Sequence, residues 1–321
     1  MLHGVRQAGG VPTSDVAAAS PAPVPLVPSS PAPLVARAFR RLLSGDSDGT
    51  PPWMARIATG DPDCLVVPEG PSWVVHGSLT TLVGGVRALM MQALHPAAVT
   101  GVAEHSAFRT DTIGRLRRTT QWLVITTFAD VATAESTATA IRSMHDRVTG
   151  EGPDGRRYAA SDPVLLRWVH DAFTDSFLTA HLALEGPDIP GGPDAYVAEW
   201  AASAHLLGAT DLPLSHAELR DQLDEFRSGA GFGRVPATGE VAAFLRSPNL
   251  PLAFRGPYRI LALAAAATLD PRDDALLGLR QRPGAIHAAH DLLAVLSRAL
   301  SSTSPAERAA RVRLGLTAPI G

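Results

Sequence analysis

Three stretches of the chain hold residue types able to do chemistry. In IRSMHDRVTG (141–150) an imidazole, His145, sits among Ile141, Met144 and Val148 at helical spacing. Residues three and four apart share a helix face, so His145 is aimed where its neighbours ask for core. It is either a core histidine with a hydrogen-bonded ring or the ligand of a group that the chain itself does not contain. His170, on a face with Leu166, Phe173 and Phe177, poses the same question. In DTIGRLRRTTQWLVITTF (111–128), Arg115 shares a face with Arg118 and Thr119, and beyond Thr120 the segment turns apolar. This is either a helix with solvated first turns or an arginine and a threonine lining a polar spot in a pocket. His76, His95, His105 and His181 complete the histidines of the central region.

Composition removes several classes of chemistry. All 28 basic residues are arginine, so a pyridoxal Schiff base, a phosphate-loop lysine and a lysine nucleophile are excluded. Cys64 is the one cysteine, which leaves no intrachain disulfide, no cysteine-rich zinc site and no iron–sulfur cluster. The formal net charge of −3 offers no general attraction for polyanions, so nucleic acid is not an expected partner. No H-E-x-x-H, G-x-S-x-G or paired Glu-x-x-His motif occurs. GAGFG (229–233) follows no strand and has the wrong glycine spacing for a dinucleotide. The N-terminus lacks the pattern of an export signal, and the apolar region 73–103 is interrupted by His76, Arg87 and His95. A cytoplasmic protein without a transmembrane span is expected.

Residues 1–33 form a leader rich in Pro, Ala and Ser that is expected to be disordered, and 34–321 form one helical domain. Helices are expected at 34–43, from Pro71 to about His95, and from Pro96 to about Glu104. Others follow at 112–129, from Thr133 to about Thr149, and from Asp162-Pro163 to about Leu184. Further helices are expected at 190–208, 238–246, 257–269, 284–299 and 305–314, with a capping box of Ser215 and Glu218 opening 216–228. Strand signals are confined to CLVVP (64–68) and a small hairpin over 150–161. The fold class is all-α, a single domain of roughly ten helices.

The pieces LHPAAVTGVAEHSAFRTDTIGRLRRTTQWLVITTFAD, AIRSMHDRVTG, DGRRYAASDPVLLRWVHDAFTDSFL and YVAEWAASAHLLG, within about 53–275, resemble the MpaB-type and rubber (latex-clearing) oxygenase family. The resemblance implies a globin-like helical core around one non-covalent haem b, and oxidative cleavage of carbon–carbon double bonds in an apolar, isoprenoid-like alkene by dioxygen. It implies His145 as the iron ligand, with Arg142 three residues before it, and His170 as the alternative. It also implies Arg115 and Thr119 as distal residues. Where the rubber enzymes carry an iron-capping lysine this chain has Arg118, which stays protonated and is a poor ligand. The distal carboxylate of the family has its nearest candidate in Glu104. Arg142 suits a haem propionate, which it can meet in a bidentate contact. Two other classes compete: a haem-binding sensor or carrier without turnover, and a cofactor-free helical interaction protein, which would purify colourless.

Overall fold

The order of helices follows from local stop and start signals, most of which the computed structural model places where the sequence puts them. It describes residues 40–42, 44–46, 51–105, 112–229, 232–279, 282–299 and 303–316, with backbone alone for Thr112, Ile113, Arg115, Leu116 and Ala299. The expected leader, and most of the expected helix 34–43, lie outside the described residues. Among those residues the chain runs α1 (Met54–Thr59), α2 (Pro71–Gly77), α3 (Thr81–Gln92), α4 (Pro96–His105), α5 (Thr112–Phe128) and α6 (Val131–His145). A hairpin of β1 (Thr149–Glu151) and β2 (Arg157–Ala159) follows. Then come α7 (Pro163–Ala183), α8 (Gly192–Leu207), α9 (His216–Ser228), α10 (Pro236–Arg246), α11 (Leu252–Ala267), α12 (Pro271–Leu277), α13 (Ala285–Ala299) and α14 (Pro305–Arg313).

Caps explain the boundaries. Asp162 accepts from the Val164 amide at 2.8 Å and Ser215 from the Glu218 amide at 3.2 Å, as the motifs predict. Start of α6 differs: the cap is Asp130 rather than Thr133, whose amide donates to Asp130 Oδ1 at 2.6 Å. The second Asp130 oxygen takes the Asp61 amide at 3.1 Å, so one buried carboxylate serves a helix end and a distant loop. Residues 64–68 are not a strand, because no segment among the described residues offers them a ladder. The hairpin is present, pairing Thr149 with Ala159 and Glu151 with Arg157. The helix expected from 257 starts at Leu252 and carries Pro257 inside it.

The long helix expected over 71–95 is two helices, bent by 93° between Gly77 and Thr81. Ser78 adopts an extended backbone, and local hydroxyls replace the lost helical bonds. Thr81 Oγ1 donates to the Ser78 carbonyl at 2.7 Å, and the Thr80 amide donates to Ser78 Oγ at 3.2 Å. No single helix among the described residues is long and apolar enough to cross a membrane.

The centre of the molecule is α7, which buries residues on every side, among them Leu165, Trp168, Ala172, Phe177 and Leu178. Its principal neighbour is α3, and α2, α4, α8 and α9 also pack on it. Close approach of α3 and α7 needs Gly84, where a Cβ would stand 2.8 Å from a Phe177 ring carbon and 3.0 Å from Phe177 Cα. At Gly85 nothing lies within 4 Å. Gly84→Ala is therefore expected to destabilise by about 1–3 kcal/mol, and Gly85→Ala to stabilise by about 0.5–1 kcal/mol. Denaturant unfolding of the two variants reads the contrast; equal effects would contradict this account of the helix crossing.

Candidate functional site

The bend between α2 and α3 opens a wedge that the other helices do not fill. The result is a cavity of about 540 Å³, walled by Leu79 at the break, Val124 and Thr120 of α5, Leu184 after α7, and Leu293 and Ala294 of α13. His76 also faces it. The ring is buried edge-on to Trp200 at 4.2 Å between centroids and to Phe177 at 5.3 Å. Thr127 Oγ1 donates to the Leu123 carbonyl at 2.7 Å, so it accepts from His76 Nδ1–H at 2.8 Å. His76 Nε2 then accepts from the Tyr196 hydroxyl at 3.0 Å. Burial first, and His181 second, push the His76 pKa down to about 3, while burial holds Tyr196 protonated. His76 is thus a neutral imidazole with both nitrogens spent. His181 Nε2–H donates to the Pro187 carbonyl at 2.7 Å, and its Nδ1 lies 3.3 Å from Thr80 Oγ1, whose own proton goes to Ser78 Oγ at 2.9 Å.

The residues singled out from sequence lie elsewhere. His145 ends α6 and is half-buried, and its stripe is not core: Ile141 and Val148 are half-buried and Met144 is 43% exposed. The stripe belongs to the last turn of a helix at the molecular rim, which periodicity cannot distinguish from an interior turn. His145 Nδ1 is nonetheless buried, without a hydrogen-bond partner. Burial lowers the pKa of this ring, against a smaller opposing effect of Asp146, and so favours neutral imidazole. Arg142 is exposed; it donates to the Leu206 carbonyl and, at 2.9 Å, to Thr139 Oγ1. His170 is buried in α7 with Nε2 3.3 Å from Thr174 Oγ1, and burial together with His205 pushes its pKa down to about 3.

Glu104, at the exposed end of α4, accepts from the Tyr158 hydroxyl at 2.8 Å. Burial and this carboxylate push Tyr158 up to about 12. The hairpin carrying Tyr158 starts just after His145, and Val148 lies 3.7 Å from where a Gly101 Cβ would stand. On α5, Arg118 is exposed and Thr119 half-buried, while the Arg115 side chain lies outside the described residues. None of the predicted site residues with a described side chain lines the cavity. Sequence reading missed the cavity, and it named His95 without a role, although its buried Nδ1 also lacks a partner among the described residues, beside Trp168 and Phe226. The signal available for His95 was its place immediately before Pro96, at a helix junction.

Residues 73–299 match the family described as ER-bound oxygenase mpaB/B'/Rubber oxygenase, catalytic domain. The chain belongs to this family. No curated protein and no solved structure matches it. The matched range holds Glu104, Arg115, Arg118, Thr119, Arg142, His145 and His170, and most of the cavity wall. Membership of the MpaB/rubber oxygenase family indicates an oxygenase by class.

Proposed function

We propose that the protein is a haem b-dependent oxygenase acting on a small apolar alkene, with His145 as the iron ligand. The observation that carries the reading is the His145 ring, whose buried Nδ1 meets no hydrogen-bond partner among the described residues and whose burial favours the neutral imidazole. A proximal ligand needs a neutral imidazole with a nitrogen to spare; His76 has none, and His95, which shares the orphaned Nδ1, lacks the arginine three residues earlier that the family pattern places before His145. Among the described residues no three His, Cys, Asp or Glu side chains converge on a metal position. A porphyrin, which brings four nitrogens of its own, asks for a single histidine.

Haem b, when bound, supplies the oxygen activation that no side chain of this protein can perform. The chain supplies polarity and position. Arg115 and Thr119 share a face of α5 and offer a fixed positive charge and a hydroxyl to hydrogen-bond dioxygen. Arg118 keeps its proton and contributes charge rather than a lone pair. Glu104 accepts from Tyr158 at Oε2 and keeps Oε1 as the oxygen that can take a proton. Arg142 spends two of its five N–H groups on the Leu206 carbonyl and Thr139 Oγ1 and keeps three for a propionate.

Haem titration of the purified protein tests the reading. One haem per chain is expected by pyridine haemochrome, lost in His145→Ala and kept in His170→Ala. Arg115→Ala and Thr119→Ala are expected to keep haem and to lose oxygen consumption with an alkene. A folded protein that takes up no haem overturns the proposal. Haem binding without oxygen consumption in the presence of alkenes would instead identify a sensor or carrier.

A further inference from the structure

The geometry points to the cavity beneath the α2–α3 break as a binding site for a neutral, elongated apolar molecule, an alkyl or alkenyl chain held by shape. Its role as the substrate subsite rests on the oxygenase reading; its capacity to bind does not.

Size is the first argument. A volume of about 540 Å³ falls in the range of small-molecule sites. The wall chemistry is the second. Leu79, Leu82, Val124, Leu184, Leu293 and Ala294 present methyl and methylene groups, and of the serines and threonines that share the lining, Ser44, Thr80, Thr81 and Ser304 are hydrogen-bonded within the protein. The imidazole at the wall, His76, has both nitrogens bonded within the protein, and Thr80 stands against His181. A polar ligand group placed against His76 finds no open partner there, and burying it unpaired is costly. Charge is the third. Arg40, Glu185 and His290 also line the cavity, Glu185 and His290 as exposed residues. One cation, one anion and an imidazole select for neither sign of charge.

Position is the fourth argument. Thr120 and Val124, on one face of α5, form part of the wall, and Thr119 is the next residue around the helix. Successive residues are about 100° apart. A chain in the cavity therefore lies against the same helix that carries Thr119. The right-angle break at Ser78, which has no other evident function, is what creates the space.

The test uses N-phenylnaphthylamine, a neutral apolar dye whose fluorescence rises on leaving water. The unmodified protein is expected to bind it, and a long-chain alcohol, but not a dicarboxylate of equal length, to displace it. Val124→Trp and Ala294→Trp fill the space and are each expected to weaken dye binding at least roughly tenfold. Val295→Trp, at the neighbouring position on α13 that is 58% exposed, is expected to leave it unchanged. Absence of dye binding overturns the inference, as does equal displacement by the dicarboxylate, or unchanged affinity in a filled variant with normal circular dichroism. The displacement arm needs no variant, so misfolding of a tryptophan variant leaves the question decidable. Haem titration on the same samples separates the readings. Dye binding without haem uptake refutes the haem oxygenase alone, and haem uptake without dye binding refutes this site alone.

Discussion

Asp171→Asn is expected to stabilise the protein at pH 7 by on the order of 4 kcal/mol, and to change little below pH 4. Asp171 lies in the middle of α7 with no exposed surface, and neither carboxylate oxygen has a hydrogen-bond partner. Burial drives its pKa from 3.8 up to about 8; Arg167, one turn earlier, opposes this and Asp175, one turn later, adds to it. Between those two values the folded chain keeps a proton that the unfolded chain has lost. Stability therefore falls as pH rises from about 4 to about 8. Asparagine has the same shape and cannot ionise, so it removes that slope. Urea unfolding across the pH range measures it. A gain that does not vary with pH, or a loss at pH 7, would mean that Asp171 is ionised in the folded protein and bound to Arg167.

Arg87→Met is expected to cost about 3–5 kcal/mol, while Arg87→Met combined with Asp175→Leu recovers most of the loss. The Arg87 guanidinium is buried between α3 and α7. It donates to Asp175 Oδ2 at 2.6 Å and Ser176 Oγ at 2.9 Å, and through Nε to the Thr268 carbonyl at 3.3 Å. Removing it strands a carboxylate in the interior, close to a second buried acid at Asp171. Removing both charges strands neither. A double-mutant cycle by denaturant unfolding gives the coupling; additive effects of the two substitutions would show that the pair is not held as the geometry indicates.

Both predictions depend on side chains that read as ordinary in one dimension. Arg87 interrupts an apolar run and argues against a membrane span; nothing near it in sequence announces Asp175 as its partner. Asp171 follows His170 in a helix whose apolar face was legible, but the faces holding Asp171 and Asp175 are buried as well. A helix packed on all sides gives no polar stripe to separate inside from outside, so polar residues on it look solvated until the neighbours are placed.

Several helix boundaries were determined by local signals in the sequence, although Asp130 rather than Thr133 caps α6 and the break at Ser78 carried no such signal. Asp162-Pro163 and Ser215 with Glu218 cap as read, because the bonding atoms lie within three residues of each other. The all-helical class, the hairpin after His145, the exclusion of lysine chemistry and of an intrachain disulfide, and the oxygenase family were also legible, since each depends on composition or short-range order. Only the tertiary structure decided which histidines keep a free nitrogen. His76 is satisfied by Thr127 and Tyr196, 51 and 120 residues away. It likewise moved the His145 stripe from the core to the rim, and turned one expected helix into two about a cavity. Helical spacing states which side chains share a face. What that face meets depends on segments far off in the chain, and hydrogen bonding, burial and cavity volume are properties of that meeting.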